Sequence, residues 1–176
     1  MAEIIEPSPP GEGATPPARL NATHDLSRFD CGNAALNVWL KSNALKSEGQ
    51  SARTYVACET NNVVIGYYCI ATGSVERKAL PSKLKREQGL PNQIPVAIIG
   101  RLARDLAYKG TGLGLDLLQD ALRRIVSASE IIGVRCVLVH AIDKDAAKFW
   151  KDNEFIEYPD GSRTFFMPVE RIVGAL

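Results

Sequence analysis

The stretch that most restricts how this chain can fold lies between residues 96 and 127. Residues 96–102 form an apolar run of buried-strand character, followed by a short loop with three alternating glycines, Gly110, Gly112 and Gly114. Residues 112–127 then read as a helix, with Leu115, Leu118, Leu122 and Ile125 as its apolar stripe. A buried strand feeding a helix through glycines demands mixed α/β packing. Glycine lets a backbone approach a ligand closely and adopt positive φ. A helix start offers unpaired N–H groups and the positive end of the macrodipole. With the cation of Lys109 beside them, these features predict a cradle for a diphosphate. The spacing is not that of a dinucleotide fold, because Leu117 stands where a third glycine belongs, and Gly-Lys-Ser/Thr of a P-loop is absent.

Around this segment the chain alternates strands and helices. A short strand over residues 19–23 precedes a helix over 33–45, whose Leu36, Trp39 and Leu40 share one face and whose start Asp30 or Asn33 can cap. Residues 54–58 and 63–72 are β-rich on either side of Thr60-Asn61-Asn62, the pattern of a hairpin. Residues 76–95 are polar and proline-flanked, with a short helix expected. A second buried strand over 134–141, a helix over 144–151 and a closing hairpin of 155–158 with 163–169 complete the order. Half of the 10 prolines stand within the first 17 residues, so residues 1–18 read as a flexible tail and 19–176 as one domain of the α/β (α+β) class.

Composition removes other classes. Apolar residues at 45% and charged residues at 23% are ordinary for a globular chain. No apolar run approaches the ~18 residues of a membrane span, and no signal peptide is visible, so a cytoplasmic protein is expected. A net charge of +1 confines electrostatic steering to local patches. Scattered cysteines and two histidines give no metal-ligand spacing, so no metal is expected, and the thiols read as free.

Lys109-x-x-Gly112-x-Gly114 after a Leu-Ala strand is similar to the coenzyme A signature of the GNAT acetyltransferases, with Lys in place of Gln or Arg. The residue 137–141 strand and the Ala147-Lys148-Phe149-Trp150 helix resemble the next two elements of that fold. Other segments resemble the toxin branch of the family: Phe29-Asp30-Cys31-Gly32-Asn33, Ala52-Arg53-Thr54-Tyr55-Val56, Ala71-Thr72-Gly73-Ser74-Val75, Arg101-Leu102-Ala103 and Val139-His140-Ala141. The resemblance implies a mostly antiparallel mixed sheet, splayed between two central parallel strands and flanked by helices. It implies acetyl-CoA as cofactor, held by Leu102, Ala103, Arg104, Lys109, Gly110, Thr111, Gly112, Leu113, Gly114 and Phe149. It further implies acetylation of the α-amino group of aminoacyl-tRNA, a ribbon-helix-helix antitoxin and a homodimer.

In that family the helix after the second central strand reads Phe-Tyr, and the tyrosine hydroxyl protonates the leaving thiolate. Here Trp150 fills that catalytic slot, and an indole N–H is a donor that does not titrate usefully. The glycine usual a few residues later is Glu154. Candidate tRNA contacts are Arg101, Lys85 and Arg86, with Arg77, Lys78 and Lys83 close by in sequence. Arg101 has Asp105 as its alternative partner. His140 reads as a core histidine, and Asp143 as a helix cap or a residue near the coenzyme. Rival readings are a GNAT enzyme for a small amine or a protein N-terminus, and a degenerate homologue that only binds.

Overall fold

A computed structural model describes residues 14–175. Seven strands are hydrogen-bonded in the order β1-β2-β3-β4-β5-β7-β6: β1 Ala18–Arg19, β2 Arg53–Glu59, β3 Val63–Glu76, β4 Gln93–Arg104, β5 Cys136–His140, β6 Ile156–Glu157 and β7 Thr164–Pro168. β4 and β5 are parallel, and every other pair with an assigned register is antiparallel. The helices are α1 Ala34–Trp39, α2 Leu45–Ser47, α3 Ser82–Lys85, α4 Leu113–Ser129, α5 Lys144–Asp152 and α6 Val169–Val173. The sheet is the mixed, mostly antiparallel one that the resemblance implies.

The described residues group into two compact units, residues 14–71 with 99–123 and residues 72–98 with 124–175. In the first, β1, β2 and the first part of β3 form an antiparallel ladder in which Tyr55 pairs with both Arg19 and Tyr68. Asn61 and Asn62 turn the hairpin at φ 63° and 60°, a conformation that asparagine tolerates better than most residues. Asn33 caps α1 by accepting from Leu36 N at 3.1 Å, while Asp30 instead accepts from Gly32 N and Asn37 Nδ2, both at 2.9 Å. α1 runs through a π-helical turn, Leu40–Ala44, into α2. Its inner face buries Leu40 and Ala44 with Phe29, Val56, Val64, Tyr67 and Ala103.

The expected tail is only partly testable, since residues 1–13 lie outside the described residues. From Thr15 onward the chain is held: Thr15 N donates to Cys58 O at 2.8 Å and Leu20 N to Thr54 O at 2.9 Å. The first strand starts at Ala18 and is shorter than its sequence pattern suggests: only Ala18 and Arg19 keep strand register with β2, and beyond Leu20 the chain turns, with His24 N bonding Asn21 O at 3.3 Å.

In the second unit β4 and β5 share a parallel register over Val96–Ile98 and Cys136–Leu138, while β4 continues to Arg104. β5 pairs with β7 from Cys136↔Pro168 to His140↔Thr164. Val96, Cys136, Tyr158 and Phe166 form a buried cluster on one face. The polar segment is an organised loop. Arg77 donates to the carbonyls of Lys85, Glu87 and Leu90, and Arg135 forms ion pairs with Glu87 and Glu170. Val169–Val173, which carries no sequence signal as a helix, closes the chain.

Candidate active site

The cradle is built entirely within the first unit. β4 ends at Arg104, and Asp105 fixes the turn beyond it. One of its carboxylate oxygens accepts from Ala107 N at 2.9 Å and the other from Asp30 N at 3.0 Å. Asp105 N donates to Ile65 O at 2.7 Å and Leu106 N to Asp30 O at 2.9 Å, which tie the turn to β3 and to the entry of α1. Tyr108 reaches the β2–β3 hairpin, donating its hydroxyl to Glu59 at 2.6 Å; this bond pushes its ionisation above the usual phenol range. Thr111 closes the loop by donating Oγ1 to Tyr108 O at 2.6 Å.

Gly110 and Gly112 stand at φ 76° and 86°, and nothing lies within 4 Å of where a Cβ would project from either. Both features fit a backbone that must leave room for a ligand. The first intrahelical bond of α4 is Asp116 N to Gly112 O at 3.0 Å, so the N–H groups of residues 112–115 precede it and remain available. Lys109, Gly110, Thr111 and Gly112 are exposed, whereas Leu113 is 7% exposed and anchors the helix start in the core. The cradle can therefore accept a diphosphate through backbone donors, the helix dipole and Lys109. Coenzyme A carries such a diphosphate, and the open space at Gly110 and Gly112 satisfies what its fit requires.

Why α4 sits where it does is visible at Gly66. A Cβ there would stand 2.9 Å from Leu117 Cδ1 and 3.3 Å from Leu113 Cδ2, so the helix packs against bare backbone of β3. The buried face is Leu113, Leu117, Leu118, Ala121, Leu122 and Ile125. Leu115, assigned to that face by its spacing, is only half-buried.

Several expectations are corrected by the structure. His140 is exposed at the end of β5, not a core residue: it shares the face of Cys136 and Leu138, but the buried cluster on that face ends before it. Arg77 is occupied by three carbonyl groups and is not a free loop cation, whereas Lys78 stays exposed in a surface pair with Glu76 at 2.8 Å. Arg101 does not pair with Asp105, whose oxygens are taken by backbone N–H groups. Its guanidinium lies over the Trp39 ring, 4.2 Å from the centroid. Trp39 carried no functional signal in the sequence, since its helical spacing reads as core. Of the two readings of Asp143 the helix cap is observed: it caps α5, accepting from Ala146 N at 2.8 Å.

Arg86 is exposed and Lys85 half-buried, on a loop whose carbonyls Arg77 holds; the Lys83 side chain lies outside the described residues. In the second unit α5 presents Phe149 and Trp150. Trp150 is 6% exposed and meets Phe149 and Phe155 edge to face, with ring centroids 5.1 Å away in both cases. Glu154 follows at φ 67°, in the left-handed region that ends many helices. Its N–H bonds Lys151 O at 3.0 Å, and Phe155 N bonds Trp150 O at 3.0 Å, a Schellman closure. All four cysteines are free thiols. Among the described residues no group of three His, Cys, Asp or Glu side chains could hold a metal ion, and no helix is long and apolar enough to cross a membrane.

No family model matches the chain. It is 36% identical over 144 residues to a tRNA-acetylating toxin of Mycobacterium tuberculosis, covering 81% of this chain and 85% of that protein. It is 34% identical over 141 residues to the probable toxin TacT of Sinorhizobium fredii, covering 79% and 72%. Among solved structures, a tyrosine-to-phenylalanine mutant of KacT superposes with a TM-score of 0.87 at 29% identity, covering 94% of this chain and 100% of that one. AtaT complexed with acetyl-methionyl-tRNAfMet gives 0.84 at 32% identity, covering 91% and 97%. A tyrosine-to-phenylalanine mutant of AtaT, bound to the C-terminus of the antitoxin AtaR and acetyl-CoA, gives 0.79 at 30% identity, covering 92% and 96%. Sheet order and the short parallel register are those of a GNAT acyltransferase. Within that class, the chain belongs to the family of tRNA-acetylating toxins.

Proposed function

We propose that this protein is an acetyl-CoA-dependent N-acetyltransferase toxin, which acetylates the α-amino group of aminoacyl-tRNA and thereby blocks translation. The observation that carries the reading is the open glycine cradle at the mouth of α4, in a chain 36% identical to a tRNA-acetylating toxin. Acetyl-CoA supplies the acetyl group as an activated thioester. The diphosphate is assigned to Lys109, Gly110, Thr111, Gly112, Leu113 and Gly114. The pantetheine arm is assigned to the backbone of Leu102, Ala103 and Arg104, and Phe149 is assigned to the same cofactor.

The acceptor needs little help to become nucleophilic. An α-amino group has a reference pKa of about 7.7–8.0, so a useful share is neutral near pH 7. Holding that amine against the thioester supplies much of the remaining acceleration. Trp150 cannot hand over a proton. We assign it the packing of α5 against Phe155, so that the thiolate leaves without a dedicated acid. Lys85 and Arg86 are assigned to tRNA phosphates, where a sequence-independent attraction serves any charged tRNA. A ribbon-helix-helix antitoxin, a homodimer and a cytoplasmic location complete the proposal; the complex of AtaT with AtaR supports an antitoxin partner.

The test is transfer of labelled acetyl from acetyl-CoA to a total pool of charged tRNA. Label recovered as N-acetyl-amino acid after mild alkaline release supports the reading, and transfer to free amines alone replaces it with a small-amine enzyme. Trp150 favours one second reading, a homologue that binds without turnover. Transfer by Trp150→Tyr but not by the native protein would establish that instead.

A further inference from the structure

Arg101 is a half-buried cation, and among the described residues no carboxylate forms an ion pair with it. Its guanidinium lies over an aromatic column. Trp39 lies 4.2 Å below it, Trp39 stacks on Tyr67 at 6.0 Å and 13°, and Phe29 meets Tyr67 edge-on at 5.5 Å. The Tyr67 hydroxyl donates to Leu36 O at 2.9 Å, which pins the column to α1. Trp39 directly precedes the π-helical turn Leu40–Ala44, a distortion frequent at functional positions.

The faces of the sheet separate this pair from the cradle. On β3, Gly66 faces Leu113 and Leu117 of α4, whereas its neighbour Tyr67 points into the cluster beneath α1. Successive strand residues alternate between faces. Ala103 belongs to the α1 cluster, and Arg101, two residues earlier on β4, lies over Trp39 of α1. The helix that offers its N-terminus to a diphosphate therefore covers one face, and the Arg101–Trp39 pair sits on the other. Residues 101–103 of β4 form the wall between them.

We propose that Arg101 on Trp39 is an acceptor subsite that grips a backbone phosphate of the RNA 3′ terminus, on the face of β4 opposite the diphosphate cradle. A guanidinium is a planar fork with five donors, matched to phosphate oxygens. The Trp39 indole holds it by a cation–π contact and the Cys69 thiol takes a bond from the Arg101 side chain, which leaves further donors for a phosphate. The subsite rests on the reading of aminoacyl-tRNA as acceptor, and it names how the acceptor's end is held.

The test uses the native chain, a short single-stranded RNA ending in CCA, and a twin whose last linkages are uncharged methylphosphonates. The native protein binds the charged RNA at least about 10-fold tighter than the twin, as one charge-assisted pair requires. Arg101→Gln binds both alike, and the slope of log affinity against log salt falls by about 0.7. Arg101→Lys, which keeps the charge without the fork, falls between, and Trp39→Leu shifts in the same direction. Acetyl-CoA affinity, measured by calorimetry, stays unchanged in all of them. A preference for charged RNA that survives Arg101→Gln overturns the subsite, as does a parallel loss of acetyl-CoA binding. Charge preference at Arg101 in a protein that acetylates no charged tRNA would sink the enzymatic reading while supporting the subsite.

Discussion

Gly66 on β3 and Leu117 on α4 approach so closely that a methyl group on the glycine would stand 2.9 Å from Leu117 Cδ1. That contact sets the seat of α4, and the seat sets where the N–H groups of its first turn point. Overpacking of this kind costs about 1–3 kcal/mol. Gly66→Ala is therefore expected to lower the denaturation midpoint and to weaken acetyl-CoA binding together. A variant with lowered stability but native affinity would show that the cradle does not depend on this contact.

At Gly112 the space is open but the backbone is left-handed, at φ 86°. Gly112→Glu places both bulk and negative charge where the diphosphate is assigned, and calorimetry should detect no acetyl-CoA binding. Gly112→Ala meets no neighbour, so its cost is the backbone strain of a non-glycine residue, about 1–2 kcal/mol. Native affinity in Gly112→Glu would remove the diphosphate from this loop.

Trp150 packs edge to face between Phe149 and Phe155 and has no titratable group to offer. Trp150→Phe should keep kcat for charged tRNA within a few-fold and lower stability through the lost ring volume. Trp150→Tyr introduces a hydroxyl, and general acid assistance is ordinarily worth about 10²–10⁴-fold. A rise in kcat toward that range is expected in Trp150→Tyr. A large fall of kcat in Trp150→Phe, at full folding and full acetyl-CoA affinity, would give the indole a chemical role.

Glu154 holds φ 67° at the end of α5, where its N–H and that of Phe155 close the helix. Left-handed backbone costs a non-glycine residue about 1–2 kcal/mol, partly offset by glycine's freedom in the unfolded chain. Glu154→Gly should raise stability by about 1 kcal/mol, seen as a melting temperature about 2–4 °C higher. An unchanged or lower melting temperature would mean that the glutamate side chain makes up for the strain.

Burial pushes the Cys136 thiol up to about 11, from an ordinary value of 9.0. Between these values the folded state keeps the proton and the unfolded state loses it, so stability falls as pH rises from 9 to 11. Urea midpoints should decline over that window, and Cys136→Val should make the decline shallower by about one proton. An identical slope in the variant would leave the alkaline loss to other groups.

The sequence carried the local pieces of the site. The glycines of residues 110–114 and the helix after them were legible because turn geometry and helix initiation depend on neighbours a few residues away. Asn33 as cap and Asn61-Asn62 as a turn were legible for the same reason. The length of β1 was not, since a strand forms only where another supplies its partners. His140 has an apolar run before it, and position in the run did not reveal that the buried cluster on its face ends before it. Arg77 reads as one more cation among several, and only the folded loop directs it to three carbonyl groups.

What the amino-acid order determined by itself is a backbone able to bend at Gly110 and Gly112 and a helix able to start there, because φ preference and hydrogen-bond periodicity are short-range. What tertiary structure decided is which side chains meet. Arg101 lies on Trp39 rather than on the nearer Asp105, because the turn after β4 spends both Asp105 oxygens on backbone N–H groups while the packing of α1 sets an indole beside β4. Charge and proximity along the chain favour the carboxylate. Strand alternation and helix seating act through space, and they assign the cation to the aromatic ring.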